Sequence, residues 1–553
     1  MKKPRVEDLT LRERIGQTAA LRSNILARHE DTDAFFKANP YGNIWTTGKL
    51  KFQVINMADE SNGEKDFSND INNRLYNEHL SDILKVPFLG AMDAEKGIGG
   101  AFNYFSQTTT NIGIGSTGDV KAAYDIAKCI AREMRLCGVR WDWGPVLDNA
   151  SPFCAVSLTR GFADNPEDTI KMMTEYIKGV QSEGVAATAK HFPGADRDEY
   201  RDSHFSDQIL RQNYDEWYER QGCIFQAAID AGVYSIMIGH ISFPAADDTK
   251  IGGRYIPATV SKKIITDLLK DKMGFKGVVI TDAVGMKAIT TMFPDPEDFY
   301  AAFYNAGVDV ILGPNHEDFI DIVISAIEHG KISEERINDA CQRVLDMKEK
   351  VGLFDTPKLT VTDEIRENAR ALTKKTSLYY APKSITWLSR NNSLVPVKKE
   401  NIKKVQIVYI GYAKNVLENI NAYVVPEFEK RGATVSVCEQ ILNEDHIKKI
   451  AEENDLILYF AHIAPHSPYG MGGFVMEKAS QFAHVLTEGA EKSICVSTSS
   501  PYIYYDWFPS ADNFINLYCF CPEYLKTLVD GIYGECEFTG KCSFDPDPLA
   551  PRL

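Results

Sequence analysis

Short apolar runs alternate with longer amphipathic ones through the first two-thirds of the chain, and this alternation constrains the fold more than any other feature. The runs Asn43–Thr47, Pro87–Met92, Val139–Pro145, Val185–His191, Tyr234–Gly239, Gly277–Asp282 and Val308–Gly313 have the length and β-branched content of buried strands. Between them, Val120–Leu136, Pro166–Glu183 and Lys262–Lys272 carry apolar residues at helical spacing. Strand–helix units repeated this often predict a parallel sheet with helical crossovers. Seven visible units, with an eighth not visible, fit a (β/α)8-like TIM barrel better than an open sheet. Asp93, His191, His240 and Asp282 fall at or just past the carboxyl ends of these strands. That is where ligands bind in barrels and in open α/β sheets alike.

With 553 residues the chain exceeds what one core sustains, so at least two domains are expected. A long charged helix is predicted around Glu364–Tyr380. After it come further strands, Lys404–Ile410, Thr434–Val437, Asp455–Ala461 and Ser493–Ser497, with helices such as His446–Glu453 between them. The expected layout is a TIM-barrel-like catalytic domain over 1–365, a helical bridge over 366–395, and a smaller three-layer α/β sandwich over 396–553. The formal charge of −16 argues against a nucleic-acid partner, because phosphate backbones demand a basic surface. The N-terminus, Met1-Lys-Lys-Pro-Arg-Val, has no apolar stretch after its basic residues, and no window has the length of a membrane span. A cytoplasmic protein without a membrane partner is therefore expected. The eleven scattered cysteines suit reduced thiols. Cys519, Cys521, Cys536 and Cys542 lack the C-x2-C knuckles of a zinc site, so no metal is expected.

Two local patterns carry chemistry. In the first, Lys190-His191-Phe192-Pro193-Gly194 ends a strand in a turn and is followed by Asp202-Ser203-His204 in a polar loop. Residues two apart in extended chain project to one side. Asp202 can thus hold a ring nitrogen of His204 and make it a proton shuttle near neutral pH. As an isolated triplet, Asp-Ser-His reads equally as a solvated loop. In the second, Gly277-Val-Val-Ile-Thr-Asp282 is a buried strand that delivers a carboxylate at its end. A carboxylate aimed into a pocket can attack an anomeric carbon. Alone, such an aspartate is as often a helix cap.

Together the two patterns resemble glycoside hydrolase family 3, in its branch of β-N-acetylglucosaminidases. The resemblance extends along nearly the whole chain. It includes Met92-Asp93-Ala94-Glu95, Trp143-Gly-Pro-Val-Leu-Asp148, Arg160-Gly-Phe-Ala-Asp164-Asn-Pro166, and the run from Arg336 to Phe354 that looks like the exit from the barrel. Ser384-Ile-Thr-Trp-Leu resembles the start of the second domain. The resemblance implies a retaining exo-β-N-acetylglucosaminidase that removes non-reducing terminal GlcNAc through a covalent glycosyl-enzyme. Asp282 would be the nucleophile and Asp202–His204 the acid/base pair. Asp93, Arg160, Lys190 and His191 would bind the sugar, and neither cofactor nor metal is implied. Muropeptide recycling and chitin-fragment use both fit as sources of the carbohydrate substrate.

The departures bear on specificity. Ala195-Asp196 stands where the family has His-Gly, Lys96-Gly97-Ile98-Gly99-Gly100-Ala101 replaces its Gly-Gly-Arg run, and Ala283 follows the nucleophile where Asp is common. A histidine acid/base also creates no anionic repulsion against phosphate, so a glycoside phosphorylase of the same family is the alternative enzyme. A non-catalytic sugar-binding descendant is the alternative from another class. Gly113-Ile-Gly115-Ser-Thr-Gly118 matches a dinucleotide fingerprint without the preceding strand and is read as a loop entering a helix. His462 and His466 lack a third ligand beside them and are read as loop residues. Oligomeric state is not legible in the sequence.

Overall fold

The computed structural model describes residues 2–47, 51–54, 63–66, 68–152, 154, 157, 159–195, 199, 201–354, 360–390, 394–439, 441, 443–462, 488–504 and 511–546. His466 and Asp196 lie outside these described residues. The chain divides into two compact units. The first comprises Met1–Gln107, Ala123–Asp148 and Met173–Thr373; the second comprises Thr108–Ala122, Asn149–Met172 and Lys374–Leu553.

The first unit is built on eight parallel strands: β1 (Ala19–Arg22), β2 (Asn43–Trp45), β3 (Leu89–Met92), β4 (Val139–Asp142), β5 (Thr188–Phe192), β6 (Ser235–Ile238), β7 (Val278–Thr281) and β8 (Ile311–Leu312). Full ladders give a five-stranded arc, β8-β1-β2-β3-β4, and a three-stranded arc, β5-β6-β7. Parallel bridges, Trp141 to Ala186 and Val146 to Lys190 at one seam and Ile280 to Val310 at the other, join the arcs and close the barrel. The eighth strand, not visible in the sequence, is β1. Ala-Ala-Leu-Arg contains no β-branched residue, and it becomes a strand because β8 and β2 pair with it on both sides.

Alternate strand residues fill the barrel. Ala20, Leu89, Ala91, Trp141, Trp143, Met237, Val278, Ile280, Val310 and Leu312 form one interior cluster. Helices cross between strands at Asp70–Ile83, Val120–Leu136, Pro166–Gln181, Lys263–Lys272 and Pro296–Ala306. The segment read as a loop entering a helix begins with a helical turn, Asn111–Gly115, capped by Thr110. The amino-terminal end of the barrel is closed by Lys348, on the helix Glu334–Lys350. Its buried ammonium donates to Gln17 Oε1 (2.7 Å), Gly42 O (2.9 Å) and Pro87 O (2.8 Å).

The second unit contains a six-stranded sheet in which β9 (Thr386–Arg390), β10 (Lys404–Ile410), β11 (Thr434–Cys438), β12 (Leu456–Ala461), β13 (Ser493–Ser497) and β14 (Asn513–Asn516) are ordered β9-β14-β13-β12-β10-β11. Only β9 is antiparallel to its neighbour among these pairs. The two faces separate by strict alternation. Val405, Ile407, Leu456, Leu458 and Phe460 pack with Val416, Ile420 and Leu528 of helices on one side. Val408, Ile410, Ile457 and Tyr459 pack with Ile447 and Ile450 on the other. This is a three-layer α/β sandwich. Among the described residues no helix is long and apolar enough to cross a membrane.

Candidate active site

Because all eight barrel strands run the same way, their carboxyl ends share one face, and the chemistry-bearing residues of the first unit collect there. Asp282 directly follows β7, whose Val278–Thr281 run is wholly buried. Its carboxylate accepts the amide of Ala283 (2.7 Å), and its own amide donates to Ile238 O (2.8 Å), which fixes the backbone that aims it. Burial alone would raise its pKa. The opposing pull of His191, His240, the Ala283 amide and His204 wins, and Asp282 is held below the ordinary aspartate range. An ionised, buried carboxylate at a strand end is equipped to act as a nucleophile.

The loop carrying the second pattern is docked onto the segment after Asp282. The amides of Lys287 and Ala288 donate to His204 O (3.1 Å) and Ser203 O (3.2 Å). Arg254 ties the same elements together, through Asp207 Oδ2 (2.7 Å) on one side and Ala288 O (3.1 Å) on the other. Within the loop, Asp202 Oδ1 accepts from the His204 amide (2.9 Å) and contacts His204 Nδ1 (2.7 Å). A carboxylate only accepts, so Nδ1 carries the proton and Nε2 is left to exchange one. Asp202 is buried while about half of the His204 side chain is exposed, so the ring is anchored at one nitrogen and presented at the other.

Lys190 and His191 are adjacent on β5, where an unbroken strand would point them to opposite sides. The β5–β6 register slips between Lys190 and Phe192, and His191 is the extra residue. Lys190 Nζ then reaches Asp93 Oδ1 (2.7 Å) and Glu95 Oε1 (2.8 Å), just past β3. His191 Nδ1 meets Asp148 Oδ2 (2.7 Å), whose other oxygen accepts the Ala195 amide (2.8 Å). Asp148 fixes this ring as Asp202 fixes His204.

The structure therefore brings Asp93, Lys190, His191, Asp202, His204 and Asp282 to one face of the first unit. Arg160 belongs to the stretch 149–172 that packs with the second unit, where its carbonyl accepts from Asn111 Nδ2 (2.7 Å). His462 contacts Thr498 Oγ1 (2.9 Å) within the second unit.

Three further residues are absent from the sequence-based set. His240, noted there only as a strand-end residue, is buried beside Asp282. Its Nε2 lies 3.1 Å from Ala283 O and its Nδ1 2.9 Å from Thr259 Oγ1. Because a carbonyl cannot donate, Nε2 carries the proton, and burial lowers the ring's pKa against the pull of Asp282. Glu95 shares Lys190 with Asp93 and was visible in Met92-Asp93-Ala94-Glu95. Asp142, between two tryptophans at the end of β4, carried no signal. It is fully buried, accepts only a 3.3 Å contact from the Ala94 amide, and leaves Oδ2 without a partner. Burial pushes its carboxyl up to about 7 despite the opposing charge of Lys190. None of the eleven cysteines is joined in a disulfide. Among the described residues no group of His, Cys, Asp and Glu could hold a metal.

Comparison with known proteins agrees with this fold. Residues 10–347 match the profile of the glycosyl hydrolase family 3 N-terminal domain. A Cellulomonas fimi β-N-acetylglucosaminidase/β-glucosidase is 27% identical over 489 residues, spanning 84% of this chain and 85% of its own. Pseudoalteromonas piscicida β-hexosaminidase A is 31% identical over 290 residues, 48% of each chain. Among solved structures, the β-glucoside phosphorylase BglX superposes with a TM-score of 0.81 at 22% identity, covering 98% of this chain and 94% of its own. A family 3 β-N-acetylglucosaminidase from Paenibacillus sp. str. FPU-7 gives 0.80 at 23%, covering 98% and 100%.

Proposed function

The chain belongs to glycosyl hydrolase family 3, and from that premise we propose that it is a retaining exo-β-N-acetylglucosaminidase with Asp282 as nucleophile and Asp202–His204 as acid/base. The observation that carries the reading is an ionised Asp282 held by backbone hydrogen bonds near a histidine whose Nδ1 is already committed to a carboxylate. In the first step Asp282 attacks the anomeric carbon and the bond to the leaving oxygen breaks, while His204 Nε2 gives that oxygen its proton. In the second, His204 Nε2 takes a proton from water, whose oxygen replaces Asp282 at the same carbon. The net result is hydrolysis with retention, and no cofactor enters. Asp93, Lys190 and His191 bind hydroxyls of the terminal sugar.

The GlcNAc assignment rests on the hexosaminidase relatives, and muropeptides and chitin fragments are the proposed sources of substrate. Cysteines without disulfides fit a reducing compartment, and we place the enzyme in the cytoplasm. Asp282→Asn should abolish turnover of 4-nitrophenyl β-GlcNAc in a continuous absorbance assay; wild-type rates in the variant would refute the assignment. A second reading, phosphorolysis, is favoured by the acid/base being an imidazole, which carries no negative charge to repel phosphate. A panel of aryl glycosides of GlcNAc, GalNAc, glucose and xylose, run with and without phosphate, separates the two by whether sugar 1-phosphate forms. The same panel excludes a mere binder if any member is turned over.

A further inference from the structure

Arg22 is the last residue of β1 and has no role in the reaction proposed above. Register pairs it with Trp45, and it lies two residues beyond Ala20, which faces the barrel interior. Its side chain therefore points inward at the carboxyl-terminal face. The guanidinium carbon sits 5.3 Å from the centre of the Trp45 ring. Two glycines make room for the side chain. A methyl group at Gly313, just past β8, would lie 2.5 Å from Arg22 Nε, and one at Gly285 would lie 2.9 Å from Nη2. Gly285 is three residues beyond Asp282, so the cationic fork ends on the nucleophile's own loop.

Arg22 differs from Lys190 in lacking a counter-ion among the described residues. It makes no ion pair among the described residues, and its buried Nε has no acceptor. Lys190, by contrast, is shared by two carboxylates with a third, Asp142, near it. Burial alone accounts for the lowered pKa of Arg22. Trp143 packs edge-on against Trp45 at 5.6 Å, and its indole Nε1 is also a buried donor without an acceptor among the described residues. A half-buried guanidinium without a counter-ion carries an uncompensated desolvation cost, and a ligand bearing acceptor oxygens removes that cost.

We propose that Arg22 is a specificity-determining residue that binds an oxyanion of the ligand in a subsite formed with Trp45, Gly285 and Gly313. The oxyanion is free phosphate or a carboxylate carried by the sugar. This deepens the glycosidase reading and rests on it for where the sugar sits.

The test has a binding arm that needs no turnover and a kinetic arm that does. Inorganic phosphate is titrated calorimetrically into the full chain and into Arg22→Gln and Arg22→Lys, with urea midpoints confirming that each variant folds. Phosphate should bind the wild type, weaken about 10- to 100-fold in Arg22→Gln, and fall between in Arg22→Lys, which keeps the charge but loses the fork. In the kinetic arm, kcat/KM is compared for 4-nitrophenyl β-glucuronide and β-glucoside. A preference for the glucuronide that collapses in Arg22→Gln, with phosphate silent, identifies a sugar-borne carboxylate. If neither phosphate affinity nor the glucuronide-to-glucoside ratio changes with Arg22, the subsite is overturned. If phosphate binds through Arg22 and no aryl glycoside is turned over, the glycosidase reading fails and the subsite stands.

Discussion

Replacing Asp142 by asparagine isolates the consequence of burying a carboxyl inside the barrel. The carboxyl is fully buried and titrates near 7 in the folded protein, against about 4 in an unfolded chain. A raised folded value means that proton uptake favours the folded state below the unfolded pKa, and that this contribution is lost as pH rises through 7. At about 1.4 kcal/mol per unit of separation, the wild type gives up about 1.5 kcal/mol by pH 5 and about 4 kcal/mol by pH 8. Asp142→Asn keeps the acceptor for the Ala94 amide and does not titrate. Whatever its fixed offset from an unpartnered amide, that offset is the same at every pH. The stability difference between variant and wild type, from urea unfolding at pH 5, 6, 7 and 8, should therefore move in favour of the variant by about 2–3 kcal/mol across the range. Parallel curves with a constant separation would show that Asp142 does not change its protonation on unfolding in this window, and would refute the argument.

His204→Ala should slow turnover of a GlcNAc glycoside with a poor leaving group by about 10²- to 10⁴-fold and a 4-nitrophenyl glycoside by less, as Brønsted plots of kcat/KM would show. Equal losses would make His204 a structural residue. Lys348→Met removes the donor that serves Gln17, Gly42 and Pro87 at the closed end of the barrel. It should cost about 3 kcal/mol in a urea titration, since Pro87 O and the Gln17 amide oxygen lose their donor while Gly42 O keeps only the Leu89 amide. An unchanged midpoint would mean that water enters to replace the ammonium.

Sequence reasoning picked candidate residues where a buried apolar run ended in a polar residue. Val278–Thr281 before Asp282 is such a case, and so is β5, whose Lys190 and His191 interrupt an otherwise apolar strand. It failed where local pattern and tertiary role disagree. Ala19–Arg22 is made largely of helix formers directly after a helix, and only pairing with β2 and β8 makes it a strand, so Arg22 could not be seen as a site residue. Asp142 looks like the polar member of an alternating Trp-Asp-Trp, yet it is as buried as its neighbours. The second unit's sheet was anticipated in its parallel strands. Its flanking β9 and β14 were not, because Thr386–Arg390 and Asn513–Asn516 mix polar and apolar residues without a core-strand signature. Its recruitment of 108–122 and 149–172 was invisible too, since no composition shift marks those stretches.

The barrel's two arcs divide the labour of the site. The three-stranded arc carries Asp282, Lys190 and His191 on its strands or just past them, and the Asp202–His204 loop connects β5 to β6. The five-stranded arc carries Arg22, Trp45, Asp93 and Asp142. Parallel bridges and backbone hydrogen bonds cross both seams, such as the Leu147 amide to Lys190 O and the Thr281 amide to Val310 O, so a shift in one arc is passed to the other. Lys190, gripping Asp93 and Glu95 from across one seam, is the strut that keeps them in register. A side chain exchanged on one arc is therefore felt at the groups that the other arc carries.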